Sequence, residues 1–280
     1  MAIRLGENNY GKSRVRLLRV TRQEGRHDIK ELTLAIRFEG DFDAAHTQGD
    51  NSKILPTDTM KNTVYALARQ HSIETAELFC LQLIEHFLAY NPQVSRVQIE
   101  AEEERWARLP LGGKAHPSAF TRAGKEKRTA VLSGTRKETT VRAGIEGLVV
   151  MKTSKSAFED FLKDPLTTLK EDDNRILATE LRANWLYADG AEFGSIWHGV
   201  REMLLETFAE HDSKSLQHTL YAMGEAVLNN FDNIREIHFS LPNKHFNLVN
   251  LAPLGMDNPG CVYLPTDEPH GLIEATVRKD

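Results

Sequence analysis

The 280-residue chain is 40% apolar and 27% charged, a balance that suits one large or two ordinary globular domains with a sizeable core. No apolar run approaches the roughly 20 residues of a membrane-spanning helix, and the opening Met1-Ala2-Ile3-Arg4-Leu5-Gly6-Glu7 lacks the apolar centre of a secretory signal. A net charge of −5, from 35 basic and 40 acidic residues, argues against a dedicated nucleic-acid binder.

In chain order, residues 15–22 and 29–40 are rich in β-branched residues and leucine and flank the polar turn 23–28, which predicts a hairpin. Pro56-Thr57-Asp58 opens a helix over 59–70, with Asp58 a candidate N-cap, and a second helix is expected over 74–90, closed by Asn91-Pro92. Over 94–109, Val97, Ile99 and Ala101 alternate with Gln98, Glu100 and Glu102, so one strand face meets a core and the other water. The basic stretch 114–137, with Arg122, Lys125, Lys127, Arg128 and Arg136, reads either as a solvated strand and hairpin or as a positive rim drawing small anions to a site. The second half repeats the order: strands over 138–152 and 175–187, helices over 192–210 and 213–229, a strand over 234–241 and another near 261–264. Leu216, Leu220, Met223, Val227 and Leu228 fall on one face of the last helix. Cys80, in the apolar run Leu78-Phe79-Cys80-Leu81, is expected to be a buried free thiol. With only Cys261 besides, a reducing cytoplasm fits.

Both halves therefore read strand, strand, helix, helix, strand, strand. A repeat of that size predicts duplicated domains, 1–136 and 137–280. Antiparallel strands with segregated helix pairs imply an α+β fold, each sheet carrying helices on one face. Four-stranded sheets leave two open edges, so oligomerisation is expected.

One motif points elsewhere. Gly6-Glu7-Asn8-Asn9-Tyr10-Gly11-Lys12-Ser13 fits the phosphate-loop pattern G-x-x-x-x-G-K-[ST] letter for letter. That loop works only between a buried strand and a helix whose amides cradle the phosphates. Here too little chain precedes Gly6 for a central strand, and the residues after Ser13 read as strand. The match is taken as coincidental, with an NTPase kept as the alternative of a different class.

Three polar clusters remain: Tyr10-Gly11-Lys12, Thr57-Asp58-Thr59-Met60-Lys61-Asn62-Thr63, and Ser240-Leu241-Pro242-Asn243-Lys244-His245. Lys12 is either a solvated lysine or a proton acceptor, a role that requires burial or a neighbour lowering its pKa. Thr57 and Asp58 begin a helix, whose first amides also favour anions. Asn243 and His245 share a side if strand geometry persists through Pro242. Arg175 is a surface ion-pair partner or a planar fork for a flat heterocycle. Phe158 on its own reads as a core aromatic and Gln217 as an ordinary exposed helix residue. The 11 histidines show no HExxH, HxH or CxxC spacing, so a metal centre lacks support.

Taken together, the three clusters resemble urate oxidase, a cofactor-free oxidase of the tunnelling-fold superfamily. The resemblance extends to Thr167-Thr168-Leu169-Lys170-Glu171, to Arg175-Ile176-Leu177 and to Ser215, Gln217, Thr219 and Tyr221 at alternate positions of one helix. It implies two tandem tunnelling-fold domains that close into a β-barrel tunnel, and a homotetramer with active sites at subunit interfaces. It also implies that Lys12 and Thr57 form the catalytic pair, that His245 joins the proton relay, and that Phe158 stacks on urate. Arg175, Leu216 and Gln217 would bind the purine, Asp58 would lend its backbone, and Asn243 would hold water or O₂ above the ring. The implied reaction turns urate, O₂ and water into 5-hydroxyisourate and H₂O₂ without metal or flavin. Asn174 and Leu216 depart from the family's usual Asp and Val, and the connection after Tyr187 is shorter than usual. The final Val277-Arg278-Lys279-Asp280 lacks the Ser-Lys-Leu peroxisomal address, so a prokaryotic cytoplasmic enzyme is expected. Two further readings stay open, a pterin-handling member of the same fold and a non-catalytic purine-binding protein.

Overall fold

The computed structural model describes residues 2–280. The chain packs as two units: one is built from the chain up to Gly144 with Ala191–Ser195, the other from Ile145–Gly190 and Ile196–Asp280. The division falls inside a strand, downstream of the turn in which Thr135 N–H donates to the Glu138 carbonyl at 2.8 Å.

The first unit is two hairpins. β1 (Tyr10–Gln23) pairs with β2 (Arg26–Gly40), and β3 (Val94–Leu111) with β4 (Lys114–Gly134), the strands lying antiparallel in chain order. Gly112 and Gly113, both at positive φ, make the two-residue turn between β3 and β4, a geometry that suits the twist of paired strands. A short α1 (Asp43–Thr47), which the sequence pattern did not suggest, follows β2. α2 (Thr57–Gln70) and α3 (Ala76–Tyr90) then cover one face of the sheet. Met60, Val64 and Leu67 of α2, at helical spacing, share one buried core with Leu32, Leu34, Ile36 and Phe38 of β2 and with Phe79, Leu83 and Phe87 of α3. Each such buried side chain contributes roughly 1.5–3 kcal/mol of transfer free energy.

The basic stretch is neither solvated throughout nor a free positive rim. Arg128 is buried and forks onto the fully buried Glu77 of α3, with Nη2 2.8 and 2.6 Å from the two carboxylate oxygens and 3.2 Å from the Phe193 carbonyl. Arg136 donates to the carbonyls of Leu88, Asn91 and Val94, satisfying the end of α3. Arg122 bonds Glu31 and Glu104, and Lys127 bonds Glu102 across the β3–β4 ladder. The acidic face of β3 neutralises β4.

The second unit has β5 (Thr139–Lys152), β6 (Leu177–Tyr187), β7 (Ile234–Leu248) and β8 (Tyr263–Arg278), again antiparallel in chain order, with α4 (Phe193–Glu210) and α5 (Leu216–Asn230) between β6 and β7. Its core joins Leu181, Ala183 and Trp185 of β6 and Ile237, Phe239 and Leu241 of β7 with Trp197, Val200, Leu204 and Phe208 of α4. All five apolar residues expected on one face of α5 are buried. So is Cys80, a free thiol that burial pushes well above its ordinary pKa, whereas Cys261 is exposed. β8 is far longer than the short strand expected near 261–264. Pro265, Pro269 and Gly271 and its mostly exposed pattern hide it, because an outer strand has no apolar alternation to show.

The phosphate-loop match dissolves here. Gly11, Lys12 and Ser13 lie in β1, with Gly11 and Lys12 paired to β2, and no helix follows them.

Breaking a buried ion pair on one side leaves an uncompensated charge. Glu77→Ala is therefore expected to lower stability by about 3–5 kcal/mol, read as a lower urea midpoint at unchanged m-value. A loss within experimental error would contradict the role assigned to the pair.

Candidate active site

In the first unit the site is set by Tyr10-Gly11-Lys12. Gly11 is paired with Arg37, and a Cβ there would fall 1.8 Å from the Ile36 carbonyl oxygen, so only glycine lets β1 approach β2. Immediately beyond, the register slips between Lys12 and Val15, with Arg14 at φ 57, a bulge that re-aims the side chains it carries. Tyr10 packs edge-on against Phe38 and Phe42, and its hydroxyl accepts the Leu55 N–H at 2.9 Å. This ties the loop before α2 to the strand that bears Lys12.

The N-cap of α2 is Pro56, not Asp58: the Pro56 carbonyl accepts from Thr59 N at 2.9 Å and Met60 N at 3.3 Å. Pro56 lies in an extended conformation and has no side-chain acceptor, so Thr57 and Asp58 become the first helical residues. Their amides have no intrahelical partner. The Asp58 carboxylate turns to Lys61 and Asn62 instead. The Lys61 bond, then its charge, holds Asp58 below the usual carboxylate range, and the charge of Lys12 adds to the effect. Lys12 is thus within electrostatic reach of the helix start. The side chains of Lys12 and Thr57, both half-buried, have no hydrogen bond or ion pair among the described residues.

In the second unit a strap, residues 153–176, joins β5 to β6. Phe158 exchanges backbone bonds with Asp172 at 2.7 and 3.2 Å, and Arg175 N donates to the Ser156 carbonyl at 2.7 Å. The Arg175 guanidinium carbon then lies 4.9 Å from the centroid of the Phe158 ring, whose other neighbour, Phe161, stacks on it at 4.9 Å. Arg175 Nε is buried with no acceptor in the chain. Burial draws the guanidinium pKa down and Asp172 opposes it. Phe158, Arg175, Asn243 and His245 line one pocket of about 200 Å³.

Pro242 stands directly before the pocket-lining residues of β7. It has no N–H to donate, and β7 there pairs with β6 at Ser240 and again at Asn243. Toward β8 the register slips between Asn243 and His245. Lys244 bonds Asp267 at 2.8 Å, a bond that raises its pKa and keeps it charged, which leaves Asn243 and His245 as the uncommitted polar groups of this segment.

The remaining two candidates sit at the start of α5, where the Ser215 hydroxyl accepts the His218 N–H at 3.1 Å. Leu216 is buried in the core and has only its backbone to offer a ligand. Gln217 is exposed and lines a separate depression with Tyr221 and β8. So the pocket gathers Phe158, Arg175, Asn243 and His245; Gln217 is outside its lining, and Lys12, Thr57 and Asp58 belong to the first unit. Tyr10 and Gly11 emerge as supporting residues that sequence reasoning passed over as mere flanks of Lys12. A glycine directly before a polar strand residue was the available signal.

His211, at the end of α4, stacks edge-on to His218 at 4.4 Å. Burial first, then the charges of His218 and Lys152, hold its pKa below the ordinary 6.5, with Asp212 opposing. The unfolded chain therefore binds a proton that the folded chain refuses. Stability is expected to be flat above that value and to decline as pH falls from it toward the lower folded pKa. Melting temperatures measured from about pH 7.5 to about pH 5.5 should fall less steeply for His211→Asn than for the wild type; equal slopes would contradict the assignment.

A family model described as Uricase matches residues 8–133 and 141–274. The uricase of Arthrobacter globiformis is 46% identical over 277 residues, covering 99% of this chain and 90% of that protein. The uricase of Aspergillus flavus is 36% identical over 287 residues, covering 96% and 94%. The crystal structure of the Arthrobacter globiformis uricase superposes with a TM-score of 0.95 at 45% identity, over 100% of this chain and 96% of that one. A urate oxidase from Bacillus sp. TB-90, at 24% identity and a TM-score of 0.83, covers 97% of this chain and 100% of its own and shares the fold. Antiparallel strands in chain order with helices between them are the tunnelling fold, and the chain belongs to the uricase family.

Proposed function

We propose that this protein is a cofactor-free urate oxidase, converting urate, O₂ and water to 5-hydroxyisourate and H₂O₂. The observation that carries the reading is a pair of complementary half-sites in a chain of the uricase family. The first unit holds Lys12 and Thr57, both uncommitted, at the open start of α2. The second holds Phe158 under an Arg175 with an unsatisfied Nε, facing Asn243 and His245.

Urate is a planar anion at neutral pH. Stacked on Phe158, it takes the forked donors of Arg175 in its own plane, with Gln217 fixing its register from the start of α5. Its opposite edge meets the free amides at the start of α2, including that of Asp58, where the helix favours negative charge by roughly 0.3–1 kcal/mol. Leu216 contributes its backbone. Lys12, acting through the Thr57 hydroxyl, withdraws a second proton, and His245 belongs to the same relay. The electron-rich dianion passes an electron to O₂ held near Asn243, and recombination gives a peroxide at the purine C5. H₂O₂ leaves, and water held by Asn243 and Thr57 adds at C5. The protein supplies positioning and proton management.

As the resemblance to urate oxidases implies, the reading places Lys12 and Thr57 of one subunit against Phe158, Arg175, Gln217 and Asn243 of its neighbour. The assembly is a homotetramer whose outer strands pair between copies, which also removes the open edges of β1 and β8.

Metal-stripped protein incubated with urate under O₂ is expected to consume urate and release one H₂O₂ for each urate lost. Lys12→Met and Thr57→Ala should each lower kcat by about 10²–10⁴-fold, the range for a lost proton-transfer group. Urate consumption that continues in both variants, or that yields no peroxide, would overturn the reading.

A further inference from the structure

The strap that carries Phe158 and Arg175 is held by a few backbone bonds, and one of its anchors is Ser213. Ser213 N–H donates to the Lys155 carbonyl at 2.9 Å, and the Ser213 carbonyl accepts the Ala157 N–H at 2.8 Å. The strap passes this hold onward, since the Ser156 carbonyl accepts the Arg175 N–H. Ser213 also faces α5. Its hydroxyl bonds the Ser215 carbonyl at 2.9 Å and the Thr219 hydroxyl at 2.7 Å, and Thr219 Oγ1 lies 3.2 Å from His211 Nδ1.

A carbonyl can only accept, so the direction of this chain is determined. Ser213 donates to Ser215, Thr219 donates to Ser213, and His211 Nδ1–H donates to Thr219. Each hydroxyl proton is used once, and every acceptor is filled. Ser213 and Thr219 are both 0% exposed, so a broken link cannot be replaced cheaply from solvent. Ser215 caps α5, whose next two residues are Leu216 and Gln217.

We propose that the buried Thr219–Ser213 hydroxyl pair, oriented by His211, positions the ligand clamp by locking the start of α5 to the strap that bears Phe158 and Arg175. Neither hydroxyl belongs to the pocket lining, so both are positioning residues that act through the clamp. The identity of the clamped ligand rests on the urate oxidase reading; the network does not. A packing role alone makes the opposite forecast, because valine has nearly the shape of threonine and would fill the same space.

Thr219→Val separates the two. The variant leaves Ser213 Oγ without its donor and His211 Nδ1–H without its acceptor. It is expected to raise the urate KM about tenfold, the equivalent of one buried hydrogen bond, with a smaller change in kcat. Thr219→Ser restores the hydroxyl and should return KM to near the wild-type value. Ser213→Ala, which keeps the backbone bonds to the strap, should resemble the valine variant and serves in its place if that variant does not fold. Amide exchange without urate reads the positioning directly: protection at Ala157, Phe158 and Arg175 should fall in Thr219→Val while that of β6 and β7 is kept. Unchanged protection at those three amides overturns the proposal, as does a serine variant no better than the valine one. A wild-type chain that does not oxidise urate defeats the functional reading, while the exchange measurement still decides the network.

Discussion

The approach of β1 to β2 at Gly11 is the constraint on which the first unit's half of the candidate site depends. With no Cβ at that position the two backbones come closer than any other residue allows, and the bulge beyond it turns Lys12 toward the start of α2. Tyr10 completes the arrangement by bonding the loop that delivers Thr57. A lysine head group on a flexible four-carbon stem is placed only as well as its backbone is held, and here the hold is strand geometry plus one hydrogen bond worth about 1 kcal/mol. The electrostatics follow from that placement. Lys12 sits where its charge is felt by Asp58, whose carboxylate is drawn off to Lys61 and Asn62 and so leaves the helix amides open.

The second unit solves the same problem with different parts. A regular strand sends alternate side chains to opposite faces, so it cannot direct consecutive residues into one pocket. Both units put the candidate site residues where the ladder fails. In the first it is the slip between Lys12 and Val15; in the second it is Pro242, the slip between Asn243 and His245, and the strap bearing Phe158 and Arg175. Irregular backbone needs support, and the strap takes it from outside through its bonds to Ser213 and from within through the Phe158–Asp172 pair. The cores of both units, built mostly from regular strand and helix, give those irregular segments a base.

How much of this was legible in the sequence follows the same line. The alternation Val97, Ile99, Ala101 and the stripe Leu216, Leu220, Met223, Val227, Leu228 announced their elements, because burial on one face leaves a period in the residues. β8 left no such period. Arg128 looked solvated because a charge does not reveal its partner, and Glu77 stands 51 residues away in another element. Asp58 looked like a cap because its residue type is right, yet Pro56 already held the place. The site was less legible than the fold. Lys12 and His245 invited attention as polar residues beside strands, whereas Phe158, Arg175 and Gln217 were visible only through likeness to urate oxidases. Nothing local marks Phe158 as other than a core aromatic; what sets it apart is the guanidinium over its face, supplied by a residue on the far arm of the strap.

In the proposed enzyme, proton management and ligand clamping are carried by separate units, and a working site takes one half from each of two subunits. Complementation tests it most directly. Lys12→Met and Arg175→Ala chains, each inactive alone, are unfolded together, refolded as a mixture and assayed for urate oxidation. Recovered activity is predicted, because some mixed sites receive an intact half from each variant. A mixture that assembles into hetero-oligomers and stays as inactive as its components would contradict the claim.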